Sequence, residues 1–183
     1  DNILGSNGGN DILEGLFGDN TYLLFDGFQI VQIIETAYGR DTLDFTNVTA
    51  GLTFLLADKR VILDDSIVYY EGSKIEAFIG GSGDDTFIFA HGFVLPSGTR
   101  IDGGLGFDTL DFSAYENARN VRLTAVGISG FSGEQNAIPA GFANIDKLIG
   151  SQTKENTLTG MNEDSTYTFA DIHTVTVYNP TLG

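Results

Sequence analysis

Cysteine and tryptophan are absent from this chain of 183 residues, methionine occurs once, histidine twice and proline three times. Lysine and arginine number nine against 25 aspartates and glutamates. Without cysteine there is no disulfide framework and no thiolate metal site. His91 and His173 each stand without a spaced second histidine, so zinc is not expected. A formal net charge of −16 repels phosphate, which argues against nucleic acid and anionic lipid and leaves divalent cations as the natural small partners. No apolar run approaches the roughly 18 residues of a membrane span, and the start lacks the charged and apolar regions of a signal peptide. Because the chain opens on Asp1 and its one methionine is Met161, we expect it to be excised from, or matured out of, something longer.

What is abundant is glycine, 24 residues, within a composition that is 42% hydrophobic and 11% aromatic. That is too apolar for a disordered acidic tail, so a folded core is expected. Glycine excess also makes repetition the first thing to test. Asp1-Asn2-Ile3-Leu4 aligns nine residues on with Asn10-Asp11-Ile12-Leu13, and again with Asp19-Asn20-Thr21-Tyr22. Gly18-Asp19-Asn20-Thr21-Tyr22 recurs as Gly83-Asp84-Asp85-Thr86-Phe87, and Gly39-Arg40-Asp41-Thr42-Leu43-Asp44-Phe45 as Gly106-Phe107-Asp108-Thr109-Leu110-Asp111-Phe112. Residues 1–24 align without a gap onto 146–169, pairing Asp1 with Asp146 and Gly5 with Gly150. We read about two and a half copies of one unit: 1–74, 75–144 and a partial copy over 145–183.

Between the turn clusters lie short runs rich in β-branched and aromatic residues: 29–34, 52–56, 60–63, 66–70, 85–89, 120–125 and 173–178. They predict strands. No stretch of 11 or more has a clear helical period, residues 29–36 being the nearest exception. Short strands with nine-residue turn signals and in-register copies predict stacked coils, each burying its apolar face against its neighbours. The expected fold is therefore all-β, a parallel β-solenoid.

Gly80-Gly81-Ser82-Gly83-Asp84-Asp85-Thr86-Phe87-Ile88 and Gly103-Gly104-Leu105-Gly106-Phe107-Asp108-Thr109-Leu110-Asp111 both match GGxGxDxUx, with U a large apolar residue. Degenerate frames lie at 6–14, 15–23, 151–159 and 160–168. Glycine allows positive φ and close backbone approach, which turns carbonyl oxygens inward, and the aspartate adds charge for an oxygen-seeking cation. The alternative for each aspartate is a turn carboxylate that accepts backbone hydrogen bonds. On this motif the sequence resembles the repeats-in-toxin (RTX) family of calcium-binding nonapeptides. The phrases Lys74–Gly80 and Ala143–Gly150, each leading toward a nonapeptide run, resemble the repetitive parts of large bacterial surface adhesins and filamentous haemagglutinin-like proteins.

The resemblance implies Ca2+ held between the turns of adjacent coils, with Gly81, Gly83, Asp85, Gly104, Gly106 and Asp108 at the two full motifs and Asp11, Asn20 and Asp41 at eroded ones. Asp85 and Asp108 can stack only if a bulge or loop near 91–99 absorbs the excess over a regular coil. The resemblance further implies an extracellular structural module of a bacterial cell surface, a stalk, filament or layer, whose partner is itself, stacked head to tail, or neighbouring repeats of a longer chain.

Catalysis is not expected. The Gly80–Gly83 loop has no following lysine for a phosphate, the serines at 129 and 132 lack the GxSxG elbow, and adjacent carboxylates such as Asp64 and Asp65 would face opposite sides of a strand. Two binding readings stay open, a surface glycan and ice, the latter through Thr157-x-Thr159, Thr166-x-Thr168 and Thr174-x-Thr176. A secreted enzyme's RTX tail is a third reading, with the catalytic part elsewhere.

Overall fold

The computed structural model describes residues 1–71 and 75–161, together with the backbone of strands at 166–169 and 174–178. Two sheets hold nearly everything. In spatial order the nine-stranded sheet runs β1 (Ile3–Ser6), β3 (Thr21–Phe25), β5 (Asp41–Asn47), β9 (Ile75–Ile79), β11 (Arg100–Asp102), β15 (Ile138–Ile145), β14 (Phe131–Gln135), β13 (Asn120–Val126) and β17 (Thr157–Thr159). The ten-stranded sheet runs β18 (Thr166–Phe169), β19 (Thr174–Tyr178), β16 (Lys147–Ile149), β12 (Thr109–Asp111), β10 (Thr86–Ile88), β6 (Thr53–Leu55), β7 (Arg60–Leu63), β8 (Ser66–Tyr70), β4 (Phe28–Ile34) and β2 (Gly9–Glu14). Neither sheet closes on itself. Among the described residues the only helix is a 3-10 turn at Leu56–Asp58.

The chain alternates between the sheets, one strand in each, so successive strands of a sheet are parallel and come from successive passes. At two points a pass is a three-stranded antiparallel excursion instead of one strand, β6–β7–β8 in the ten-stranded sheet and β13–β14–β15 in the nine-stranded one, and β18 and β19 form a further antiparallel hairpin whose β19 runs antiparallel to β16. Each excursion steps ahead and folds back. β6 pairs with the later β10 and β8 with the earlier β4, while β13 pairs with the later β17 and β15 with the earlier β11. Both sheets are thus mixed, where sequence periodicity led us to expect uniformly parallel coils. The physical reason is that period-2 alternation marks a strand but not its direction. The turn at Asp64, held at φ 51°, reverses the chain between β7 and β8. Of residues 29–36, the nearest approach to a helical pattern, 29–34 lie in the strand β4 and none is helical.

Alternation within each strand sets the core. In β3, Tyr22 and Leu24 are buried between half-exposed neighbours, and in β5, Leu43 and Phe45 are buried beside Asp41. Register stacks these side chains. Tyr22 lies opposite Leu43, Leu43 opposite Phe78 and Phe78 opposite Ile101 in one sheet; Phe54, Phe87, Leu110 and Leu148 succeed one another in the other. The rings meet as well: Phe54 and Phe87 stack at 4.2 Å between centroids, and Phe89 and Phe112 at 4.5 Å. Phe87 is the apolar position of the first full nonapeptide and is fully buried. Phe87→Ala is expected to cost about 3–5 kcal/mol, read as a lowered urea midpoint. A loss under about 1 kcal/mol, less than burial of the ring's area alone supplies, would mean that Phe87 is not packed in the core.

Candidate functional site: two ladders of turn carboxylates

The nonapeptide turns enter the ten-stranded sheet. Residues 89–99 form no strand, and this loop takes up the extra length between the two full motifs, so β10 and β12 pair in register, Thr86 opposite Thr109. Asp85 and Asp108 therefore stack. The Leu52 amide donates to Asp85 Oδ1 (2.7 Å), the Asp85 amide to Asp108 Oδ1 (2.8 Å) and the Asp108 amide to Asp146 Oδ2 (2.9 Å). Each carboxylate caps the backbone of the preceding pass. The glycines are required by closeness: a Cβ on Gly103 would collide with the Asn144 carbonyl and sit against Asp108 Oδ2, and one on Gly81 would collide with the Val48 carbonyl. Gly104 and Gly106 also adopt φ of 94° and 112°, a region that L side chains rarely enter. A Cβ on Gly83 would collide with the backbone at Ala50 and Gly51.

The two carboxyls differ in how they are satisfied. Asp85 Oδ2 accepts the Gly81 amide (2.7 Å), whereas Asp108 Oδ2, on a fully buried residue, has no donor. Burial pushes the Asp85 carboxyl up to about 6, held back by the Leu52 and Gly81 amides. Burial pushes Asp108 further, to about 8; the Asp85 amide opposes this, and the charges of Asp85, Asp146 and Asp84 add to it. Asp146 is raised too, first by burial. Absent a counterion, Asp108 is held largely as the neutral acid at pH 7.

A second ladder enters the nine-stranded sheet. The Asn2 amide donates to Asn20 Oδ1 (3.0 Å), the Asn20 amide to Asp41 Oδ1 (2.8 Å) and the Asp41 amide to Glu76 Oε2 (2.7 Å). Beside it lies the buried Glu35. Its Oε2 accepts the Tyr22 hydroxyl (2.7 Å) and Asn20 Nδ2 (3.3 Å), and its Oε1 accepts the Ala37 amide (3.0 Å). Asn20 Nδ2 also donates to the carbonyls of Gly18 (2.9 Å) and Leu16 (3.3 Å). Asp41 Oδ2 is buried with no donor, and its carboxyl is raised by burial and then by the Glu35 charge. A third, shorter step repeats the device, the Arg119 amide donating to Asn156 Oδ1 while Asn156 Nδ2 donates to the Ser151 carbonyl.

The pattern separates Asn from Asp. Where the ladder holds Asn20 or Asn156, the amide nitrogen supplies hydrogens to turn carbonyls; where it holds Asp41 or Asp108, one carboxylate oxygen is left without any. Such an oxygen requires a proton or a cation. A carboxylate oxygen is a hard donor, which suits calcium rather than zinc. Among the described residues no cluster of three or more His, Cys, Asp or Glu side chains is poised to hold a metal, so backbone carbonyls and water would complete any coordination shell.

Of the residues singled out by sequence, Asp85 and Asp108 with their four glycines share one ladder, and Asn20 and Asp41 share the other. Asp11 joins neither; on β2 it accepts the Ser6 hydroxyl (2.6 Å). Sequence reasoning missed Asp146, although its alignment with Asp1 marked it, and missed Glu35 and Glu76, for which no motif gave a signal. His91 is exposed on the 89–99 loop, accepting the Glu116 amide at Nδ1 (3.2 Å). Thr157 and Thr159 lie exposed on β17. His173, Lys74 and the side chains of the 162–168 and 174–176 positions lie outside the described residues. No helix among the described residues is long and apolar enough to cross a membrane. No protein-family model matches the chain, and no curated protein or solved structure matches it either.

Proposed function

We infer that this chain is a non-enzymatic, extracellular structural module of a bacterial surface protein: a β-solenoid interrupted by two hairpin excursions, rigidified by Ca2+ and stacking into a filament, stalk or layer. The observation that carries the ion is the donorless Asp108 Oδ2, buried in a turn with the GGxGxD sequence and flanked by the Asn144 carbonyl. In this reading Asp108 and Asp85, with carbonyls of the Gly80–Gly83 and Gly103–Gly106 turns, hold the ion. It supplies positive charge where Asn20 and Asn156 use their own amides. Asp41 with Glu35 is the corresponding place in the other ladder. The acidic surface then keeps the unfolded chain extended until cations neutralise it, and an ion that binds only the folded form stabilises that form by mass action.

Stacking is supported by the β1 and β2 edges. No described strand pairs with either on its outer side, and they expose Ile3 (78%) and Ile12 (69%). An unpaired parallel edge with apolar side chains is a template for another strand. The alignment of residues 1–24 with 146–169 identifies a suitable occupant: a coil of the same repeat, from a neighbouring segment or a second copy. Sedimentation velocity in about 5 mM calcium, the order of extracellular-module affinities, and in chelator tests both parts, with circular dichroism on the same samples. Fast, polydisperse sedimentation confined to calcium is the expected result. A monomer with the same β signal in both conditions would overturn the ion-gated assembly.

A further inference from the structure

The outer face of the ten-stranded sheet carries an open groove of about 700 Å3 beside the β6–β7–β8 hairpin, lined by Ile30, Gln32, Asp58, Lys59, Tyr69 and Glu71. Tyr69 is part of its wall. Val68 and Tyr70 on either side of it point into the core, so strand alternation places the Tyr69 ring outward, 40% exposed. Register puts Gln32 of β4 directly opposite on one flank and Arg60 of β7 on the other. Both flanking groups are braced. Gln32 Nε2 donates to Glu71 Oε1 (3.3 Å), and Arg60 Nη2 donates to Asp58 Oδ2 (2.7 Å). An outward ring thus stands between an amide–carboxylate pair and a guanidinium–carboxylate pair, all planar and all with spare hydrogen-bonding capacity.

Charge selects the occupant. Of the lining, Asp58 and Glu71 stand against Lys59, and Arg60, which neighbours Tyr69 in register and pairs with Asp58, brings the local sum to zero, while the rest of the chain holds 7 basic and 23 acidic residues, 7 − 23 = −16. An anion would be repelled by that surround, and a cation would meet Lys59 and Arg60 beside one carboxylate already ion-paired and another hydrogen-bonded to the Gln32 amide. An uncharged molecule with an apolar face and a rim of hydroxyls meets neither penalty. Its C–H face would cover the ring, and its hydroxyls would exchange hydrogen bonds with the planar groups on both flanks. We propose that the Tyr69 groove binds a segment of neutral polysaccharide. The site uses no residue of either carboxylate ladder, so it stands or falls independently of the calcium reading.

Affinity gel electrophoresis through dextran, amylose, xylan, galactomannan and mixed-linkage β-glucan tests it, with alginate as the charged control. Retardation by at least one neutral polymer is expected, weakened at least tenfold in Tyr69→Ala and at least threefold in Gln32→Ala. Tyr69→Phe should keep most of the binding, because the ring face does the work. Tyr38→Ala, which removes an exposed aromatic (82%) from a turn elsewhere, should leave retardation unchanged. Thermal melts establish that each variant is folded. Absence of retardation by all five neutral polymers, retardation by alginate alone, or equal losses in Tyr69→Ala and Tyr38→Ala would each overturn the proposal.

Discussion

Asp108→Asn is expected to act in opposite directions with and without calcium. In chelator the variant should melt several degrees higher than the wild type. The substitution removes a buried carboxyl with no donor on Oδ2, keeps an oxygen to accept the Asp85 amide, and adds an Nδ2 that can donate to a turn carbonyl as Asn20 does to Gly18. In about 5 mM calcium the wild type should gain and the variant should not. With a dissociation constant on the order of 10⁻⁴ M, one site contributes about 2.3 kcal/mol, or roughly 5–9 °C for a chain of this size. Asp85→Ala combined with Asp108→Ala should likewise lose far more melting temperature in calcium than in chelator. Equal losses in the two conditions, or an undiminished calcium gain in Asp108→Asn, would remove the ion from the Asp108 turn.

The second large effect is on pH. Asp85 and Asp108 have folded-state values of about 6 and about 8, above the roughly 3.9 of an unfolded aspartate. Between those limits the folded state binds more protons than the unfolded one, so stability falls as pH rises. The contribution of these groups is full below about 4 and is lost through the window up to about 8. Each proton is worth roughly 1.4 kcal/mol per pH unit, about 3–6 °C, so the melting temperature in chelator should drop by several degrees between pH 6 and 8.5. Calcium should flatten the profile by replacing the proton, and its binding should release protons in that range. A chelator profile that is flat over this range, or that declines toward acid, would mean that the buried carboxyls are not protonated in the folded protein.

How far the sequence foretold this molecule depended on which physical signal each part carries. The strands were legible because β-branched and aromatic runs have few other uses, and β7 and β8 fall where the runs 60–63 and 66–70 placed them. The reversal between them was not, since Arg60–Leu63 alternates as a parallel strand would and only Asp64 in its left-handed turn betrays the hairpin. The Gly80–Asp85 and Gly103–Asp108 turns were legible because close backbone approach leaves glycine as the only tolerated residue there. Glu35 and Glu76 were not, because what makes them part of a site is the arrival of Asn20 and Asp41 from passes distant in sequence. A side chain recruited by stacking leaves no local trace.

The two hairpin excursions have a consequence for how the chain acquires its fold. Most neighbouring strands here come from different passes, so each pairing must close a loop before it is rewarded; β6–β7–β8 and β13–β14–β15 join strands adjacent in sequence. Pairings of low contact order form first. Beside the β18–β19 hairpin, folding therefore has two local starting points in these excursions, one in each sheet. Each also sets a dependency: β8 completes against β4, already synthesised, but β6 waits for β10, and β13 waits for β17. A chain emerging from its N-terminus would consolidate backward from each hairpin and hold an open edge forward until the next pass arrives.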